Sequence, residues 1–284
     1  MKPHNPKTHD SLFKWLITSF TREFFAHYFP TLQLGTYSFI DKEFLSKYEA
    51  LKESLKGDLF LLMEVEIDGD FQEIAIQIEH QSEREDISER LFEYLCYVWL
   101  LKRKPVWSIV IYTDEALWRK PMTNQFRYGF SAAHPKQYFH FDVIKVKDEK
   151  SSELINKHSL LCKLLALKAN DEGTAPETLV YEIYQAAAKM KDQLTADQLL
   201  LITQWVDFYK KVPEPVLKKI KQEVNMELVE TTISEHIYNQ GKAEGSLEGQ
   251  LAVLENLHRQ GILSEAQINS MATPLRQQLK DLMR

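Results

Sequence analysis

Apolar residues recur along this chain in two rhythms. Between His9 and Pro30, the residues Leu12, Trp15, Leu16, Phe20, Phe24 and Tyr28 follow a helical period that Pro30 closes, which predicts one amphipathic opening helix. From Asp58 to Glu66 and from Asp70 to Gln81 the rhythm becomes that of strands. They flank Asp68-Gly69, the dipeptide most typical of a tight type I′ hairpin. Helical spacing returns through Ile87, Leu91, Tyr94, Leu95, Val98 and Leu101, and ends in Lys102, Arg103 and Lys104 before Pro105. "VWSIVIYTD" and "YFHFDVIKV" are two further strands, and the polar, aromatic stretch between them reads as loop. From about Lys150 onward the strand signals stop, and three successive segments carry helical periodicity. The pattern predicts an α+β or α/β core in residues 1–149 and an all-α region in residues 150–284.

Within that tail, the segment from Pro215 to Gln260 reads as one long helix in which Gly241, Gly245 and Gly249 recur every four residues. Small residues at this spacing let a second helix lie close, either from residues 150–220 or from another copy of the chain in a homodimer; a flexible break is the alternative. Ser264 to Gln267 forms a capping box, and Thr273-Pro274 marks the start of a final helix.

The hairpin dipeptide fixes a register. With Asp68 and Gly69 as the loop, Ile67 faces Asp70, and Leu59, Leu61, Met63 and Val65 gather opposite Ile78, Ile76, Ile74 and Gln72. On the other face Asp58 falls opposite Glu79, with Gln81 two residues beyond. Opposed side chains have Cβ atoms roughly 5 Å apart, so two carboxylates there repel unless a cation, a hydrogen bond or solvent compensates. Glu64 and Glu73 also oppose each other nearer the turn, where water screens them. A divalent ion between Asp58 and Glu79 would be Mg²⁺, which accepts one or two carboxylates and keeps waters for chemistry. His80 points to the opposite face, which suits packing or hydrogen bonding better than general-base work.

Composition narrows the picture only at its edges. A chain of 284 residues, 44% hydrophobic, can bury a substantial core. Its net charge of −6 excludes a strongly basic nucleic-acid coat but leaves room for a local patch. Cys96 and Cys162 lack disulfide or zinc spacing. The first ten residues lack the apolar run of a signal peptide, and the longest apolar run, Tyr94 to Leu101, is too short to span a bilayer, so a cytoplasmic location without membrane association is expected.

"HDSLFKWL", "GDLFLLMEVEI", "IEHQSERED" and "RLFEYLCYVWL" together resemble the bacterial recombination-promoting nuclease and transposase family, within the PD-(D/E)XK nuclease superfamily. The resemblance covers about the first half of the chain, and "GKAEGSLEG" is similar to the helical tails of such proteins. It implies a restriction-endonuclease-like mixed sheet flanked by helices, Mg²⁺ with Mn²⁺ as substitute, DNA as partner, and metal-assisted phosphodiester hydrolysis. Carried over, the metal-binding aspartate falls on Asp58, the second carboxylate on Glu79, a further metal ligand on the His80 backbone carbonyl, and the lysine position on Gln81. An amide orients a water but brings no positive charge, so metal or another cation has to stabilise the transition state. Arg90, Lys102 and Arg103 are candidates for that cation, or else solvated helix charges; Asp10 and Lys14, one helical turn apart, either support the site or form a surface ion pair. The rival reading is the same fold with a decayed site, serving as a protein-binding or nucleic-acid-binding scaffold. A weaker third is an RNA-directed nuclease.

Overall fold

The computed structural model describes residues 9–40, 59–131, 134–209, 212–259 and 263–282. The opening segment forms two helices, α1 (His9–Ser19) and α2 (Thr21–Tyr28), where one was expected. The Thr18 and Thr21 hydroxyls donate to the carbonyls of Lys14 and Ile17, each at 2.9 Å, and such back-bonding competes with the helix ladder at the break.

Strands β1 (Leu34–Phe39), β2 (Leu59–Ile67), β3 (Asp70–Gln81), β4 (Val106–Tyr112) and β7 (Asp142–Lys145) form a mixed sheet in the order β1-β2-β3-β4-β7. The β2–β3 turn has Asp68 and Gly69 both at positive φ, 55° and 90°, as a type I′ turn requires. Every pair from Ile67↔Asp70 to Leu59↔Ile78 matches the expected register, including Glu64↔Glu73. Those two carboxylates each have their own partner: Thr36 donates to Glu64 through its amide and hydroxyl, and Lys104 meets Glu73 at 3.2 Å.

Helix α3 (Ser88–Lys102) connects β3 to β4, which run parallel, as do β4 and β7. Two expectations fail around β7. "YFHFDVIKV" is not one strand but the end of β6 (His134–His140) followed by β7, and the presumed loop before it contains β5 (Gln125–Ser131). β5 and β6 form a separate two-stranded antiparallel ribbon.

Helix α3 covers one face of the sheet through Tyr94 and Val98 against Phe60 and Ala75. The other face carries the main core. There Leu12, Phe13, Leu16 and Ile17 of α1 meet Ile74, Ile76 and Ile78 of β3 together with residues of α5 (Leu160–Leu165), α6 (Pro176–Lys189), α7 (Ala196–Tyr209) and α8 (Glu214–Glu223); the one-turn helix α4 (Ser151–Leu154) leads into them. The strand-rich and helical halves thus share one continuous apolar cluster.

The long helix expected from Pro215 to Gln260 is interrupted: Asn225 takes φ 57° between α8 and α9 (Glu227–Arg259). Ser264 and Gln267 form the expected reciprocal cap of α10 (Glu265–Leu282), with Ser264 N donating to Gln267 Oε1 at 2.9 Å. Pro274 lies inside α10 rather than at a helix start, and the Thr273 hydroxyl donates to the Asn269 carbonyl at 2.6 Å. The tail packs through Leu254 against Ile268 and Ala272.

The glycine stripe does not pack against any described residue. Gly241, Gly245 and Gly249 are exposed, and a Cβ built on any of them meets nothing among the described residues within 4 Å. The apolar side that seats α10 is instead supplied by Leu251 and Leu254. Replacing all three glycines by alanine should therefore stabilise α9 by about 1 kcal/mol per site, the difference in helix propensity. Slower hydrogen exchange of α9 amides and higher helicity in the variant would agree; a lower melting temperature would reveal a contact made through the stripe.

Candidate active site

The β3 alternation places Ala75, Gln77 and Glu79 on the face covered by α3. On that helix Arg90, Tyr94 and Val98 recur every four residues, so the stripe that buries Tyr94 and Val98 aims Arg90 at the end of β3. Arg90 donates to Glu79 Oε1 at 2.6 Å, and the Gln81 amide donates to the same oxygen at 2.7 Å. Glu79 is only 4% exposed. Burial pushes its carboxyl up to about 7, against the lowering by the Arg90 charge, the Gln81 hydrogen bond and the Lys14 charge; Asp10 adds to the rise. Three buried polar atoms here have no hydrogen-bond partner among the described residues: Glu79 Oε2, Arg90 Nε and Gln77 Nε2.

Glu79, Gln81 and Arg90 are therefore together. Lys102 and Arg103 lie about three turns further along α3, with the Arg103 guanidinium folded over Trp99 at 4.5 Å. Asp58 lies outside the described residues, and the observed register stops one pair short of it at Leu59↔Ile78. Among the described residues no group of three or more His, Cys, Asp or Glu side chains forms a metal-ligand set. The Glu79 side nevertheless suits a hard divalent cation. Its Oε2 is a buried oxygen without a donor among the described residues, and a carboxyl held near pKa 7 is stabilised in its charged form by a cation.

On the opposite face His80 stacks flat on Phe13, with ring centroids 4.4 Å apart and planes 9° from parallel. Its Nδ1 lies 3.3 Å from Asp10 Oδ1, and Asp10 also pairs with Lys14 at 2.5 Å. Asp10 and Lys14 are thus an ion pair that also holds His80. Three residues join this group that the sequence did not point to: His9, Thr113 and Tyr209. His80 Nε2 is 2.8 Å from Thr113 Oγ1, His9 Nε2 contacts the same hydroxyl, and Tyr209 OH contacts His9 Nδ1.

One assignment of protons satisfies the whole chain. An ionised Asp10 accepts from His80 Nδ1–H, so His80 Nε2 accepts the Thr113 proton; Thr113 Oγ1 then accepts from His9 Nε2–H, and His9 Nδ1 accepts from Tyr209. Both imidazoles are neutral in this arrangement. Burial, followed by the His80 and Lys168 charges, pushes His9 down to about 4; burial also lowers His80, against the Asp10 hydrogen bond.

Comparisons with protein-family models, with curated proteins and with solved structures found no match to the chain.

The two faces titrate in opposite senses. Glu79 at about 7 lies above its ordinary 4.5, so the unfolded chain loses its proton first and this burial costs stability as pH rises from 4.5 to 7. His9 and His80 lie below 6.5, so the unfolded chain takes protons first and stability is lost as pH falls from 6.5 towards 4. Glu79→Gln removes only the first contribution. Its stability should fall more steeply with acid than the parent's below pH 6.5, by ~1.4 kcal/mol per pH unit where the full proton difference applies, in urea titrations at stepped pH. Parallel slopes would show that Glu79 titrates normally. Thr113→Val, which leaves two imidazole nitrogens without their shared partner, should cost about 1–3 kcal/mol in the same assay.

Proposed function

We propose that this chain is a metal-dependent deoxyribonuclease that hydrolyses phosphodiester bonds, of the PD-(D/E)XK kind its β3 motif resembles, with a role in DNA recombination or transposition. The observation that carries the reading is the end of β3: a buried carboxylate with one oxygen that no described residue donates to, beside an amide and a guanidinium. The mixed five-stranded sheet with helices on both faces is compatible with that superfamily.

Glu79 Oε2 and Asp58, with the His80 backbone carbonyl, would hold the ion. When bound, Mg²⁺ or Mn²⁺ supplies Lewis-acid polarisation of a phosphate oxygen and lowers the pKa of a bound water. Gln81 holds Glu79 through its amide and is the group at the family's lysine position, suited to orienting the attacking water. Arg90 supplies the positive charge that Gln81 lacks. Its side chain is partly exposed, so its outer edge can meet a phosphate while it keeps its bond to Oε1.

A second reading has one observation in its favour. Arg90 already neutralises Glu79, as a decayed site kept for scaffolding would need. Plasmid nicking with Mg²⁺, Mn²⁺ and chelator separates the two. Asp58→Ala and Glu79→Ala should each lower metal-dependent nicking by 100-fold or more, on the order of losing a principal transition-state contact, at unchanged circular dichroism. Nicking that survives both substitutions would sink the site assignment. Arg90→Ala should lower the rate about 10–100-fold, whereas Gln81→Lys should retain or raise it. Because Glu79 takes up a proton near pH 7, metal binding at pH 6 should release protons, read by calorimetry in buffers of different ionisation enthalpy.

A further inference from the structure

The β5–β6 ribbon is separate from the main sheet, and its ring contacts with α3 lie near one end. Phe126 and Phe139 pair across it and pack on Phe92 of α3, with ring centroids 5.2 and 5.9 Å away. Phe139 shares a cluster with Leu91 and with Val110, the β4 residue paired to Glu79. The root of the ribbon therefore sits on the α3 face of the sheet, beside the carboxylate site.

Tyr128 also stacks on Phe92, at 5.7 Å, and beyond that root the ribbon exposes two large aromatic rings: Phe130 is 87% exposed and Tyr138 49%. Each of two rings carries a cation. Lys136 Nζ lies 5.0 Å from the Phe130 centroid, and Arg127 lies 5.9 Å from that of Tyr138, its cross-strand neighbour. The charge there is of one sign: between Glu115 and Asp142 the sequence has Arg119, Lys120, Arg127 and Lys136 and no acidic residue, in a chain of net charge −6. Gln125, Gln137, His134 and His140 interrupt the rings, so the surface is not the continuous apolar face that a bilayer would select. Flat rings offered to solvent with cations beside them match unstacked bases on a phosphate backbone.

From this geometry we infer that the β5–β6 ribbon is a single-strand-binding element, in which Phe130 and Tyr138 stack unpaired bases of a DNA substrate while Arg127 and Lys136 hold the adjoining phosphates. The inference rests on the nuclease reading for its choice of nucleic acid, and it adds a preference for frayed, gapped or otherwise unpaired DNA. The ribbon's place on α3 would deliver the strand towards Glu79.

The test uses the full chain in chelator, with fluorescence anisotropy of labelled oligodeoxythymidine, a blunt duplex, and phosphatidylserine vesicles as the competing surface. The parent should bind the single strand more tightly than the duplex. Phe130→Ala with Tyr138→Ala should weaken single-strand binding by about 10–100-fold, and Phe130→Trp should retain it. Arg127→Gln with Lys136→Gln should weaken both DNA forms and flatten the salt dependence. Because these rings are exposed, the melting temperature should not move. Unchanged binding in the alanine variant, no preference for single strands, or binding to vesicles and not to oligonucleotide would each overturn the ribbon. Its fate separates from that of the carboxylate site. Glu79→Ala should keep binding and lose nicking; a parent that binds through the ribbon but never nicks overturns only the nuclease reading, and one that nicks equally well without the aromatic rings overturns only the ribbon.

Discussion

The pairing of β2 with β3 is the constraint on which the rest depends. A slip of one residue would turn Ile74, Ile76 and Ile78 away from α1 and drive Glu79 into the apolar cluster, where a carboxylate has no partner. The type I′ turn at Asp68-Gly69 sets the count, and the aliphatic face enforces it along nine residue pairs. Because side chains alternate strictly, the same count that fills the core delivers Glu79 and Gln81 to one face and His80 to the other.

Each face then handles burial of a titratable group differently. Under α1, His80 is made neutral and its two nitrogens are satisfied by Asp10 and Thr113, so the imidazole costs little to bury. Under α3, Glu79 receives two donors on one oxygen and, among the described residues, none on the other, and burial leaves it biased towards protonation. A group kept in that condition is poorly explained by stability alone.

What could be read from the sequence was what depends on local periodicity. The hairpin register, the α3 segment and the Ser264 cap rest on residues within a few positions of each other, and they appear as expected. Helix breaks were less legible, because the interruption after Ser19 depends on threonine hydroxyls and that at Asn225 on one left-handed residue, neither of which disturbs the hydrophobic count. The β5–β6 ribbon escaped because its bulges and exposed aromatics carry no alternation. At the site, Arg90 had a usable signal, since it lies on the stripe of Tyr94 and Val98. His9 and Tyr209 had none: they meet across 200 residues of chain, and only the packing of α7 on α1 brings them together.

That separation bears on how the protein is made. Helix α1 is synthesised early, yet part of what covers it comes from α7: Trp205 lies 4.8 Å from Phe13, ring to ring, and Tyr209 closes on His9. At a ribosome adding ~5–20 residues per second, the wait between His9 and Tyr209 is roughly 10–40 s. For that interval Phe13, Leu16 and Ile17 have the sheet, α2 and then α5 to shelter them, but not Trp205. The contacts that complete the cover of α1 are thus among those the growing chain makes late, because Tyr209 follows His9 by 200 residues.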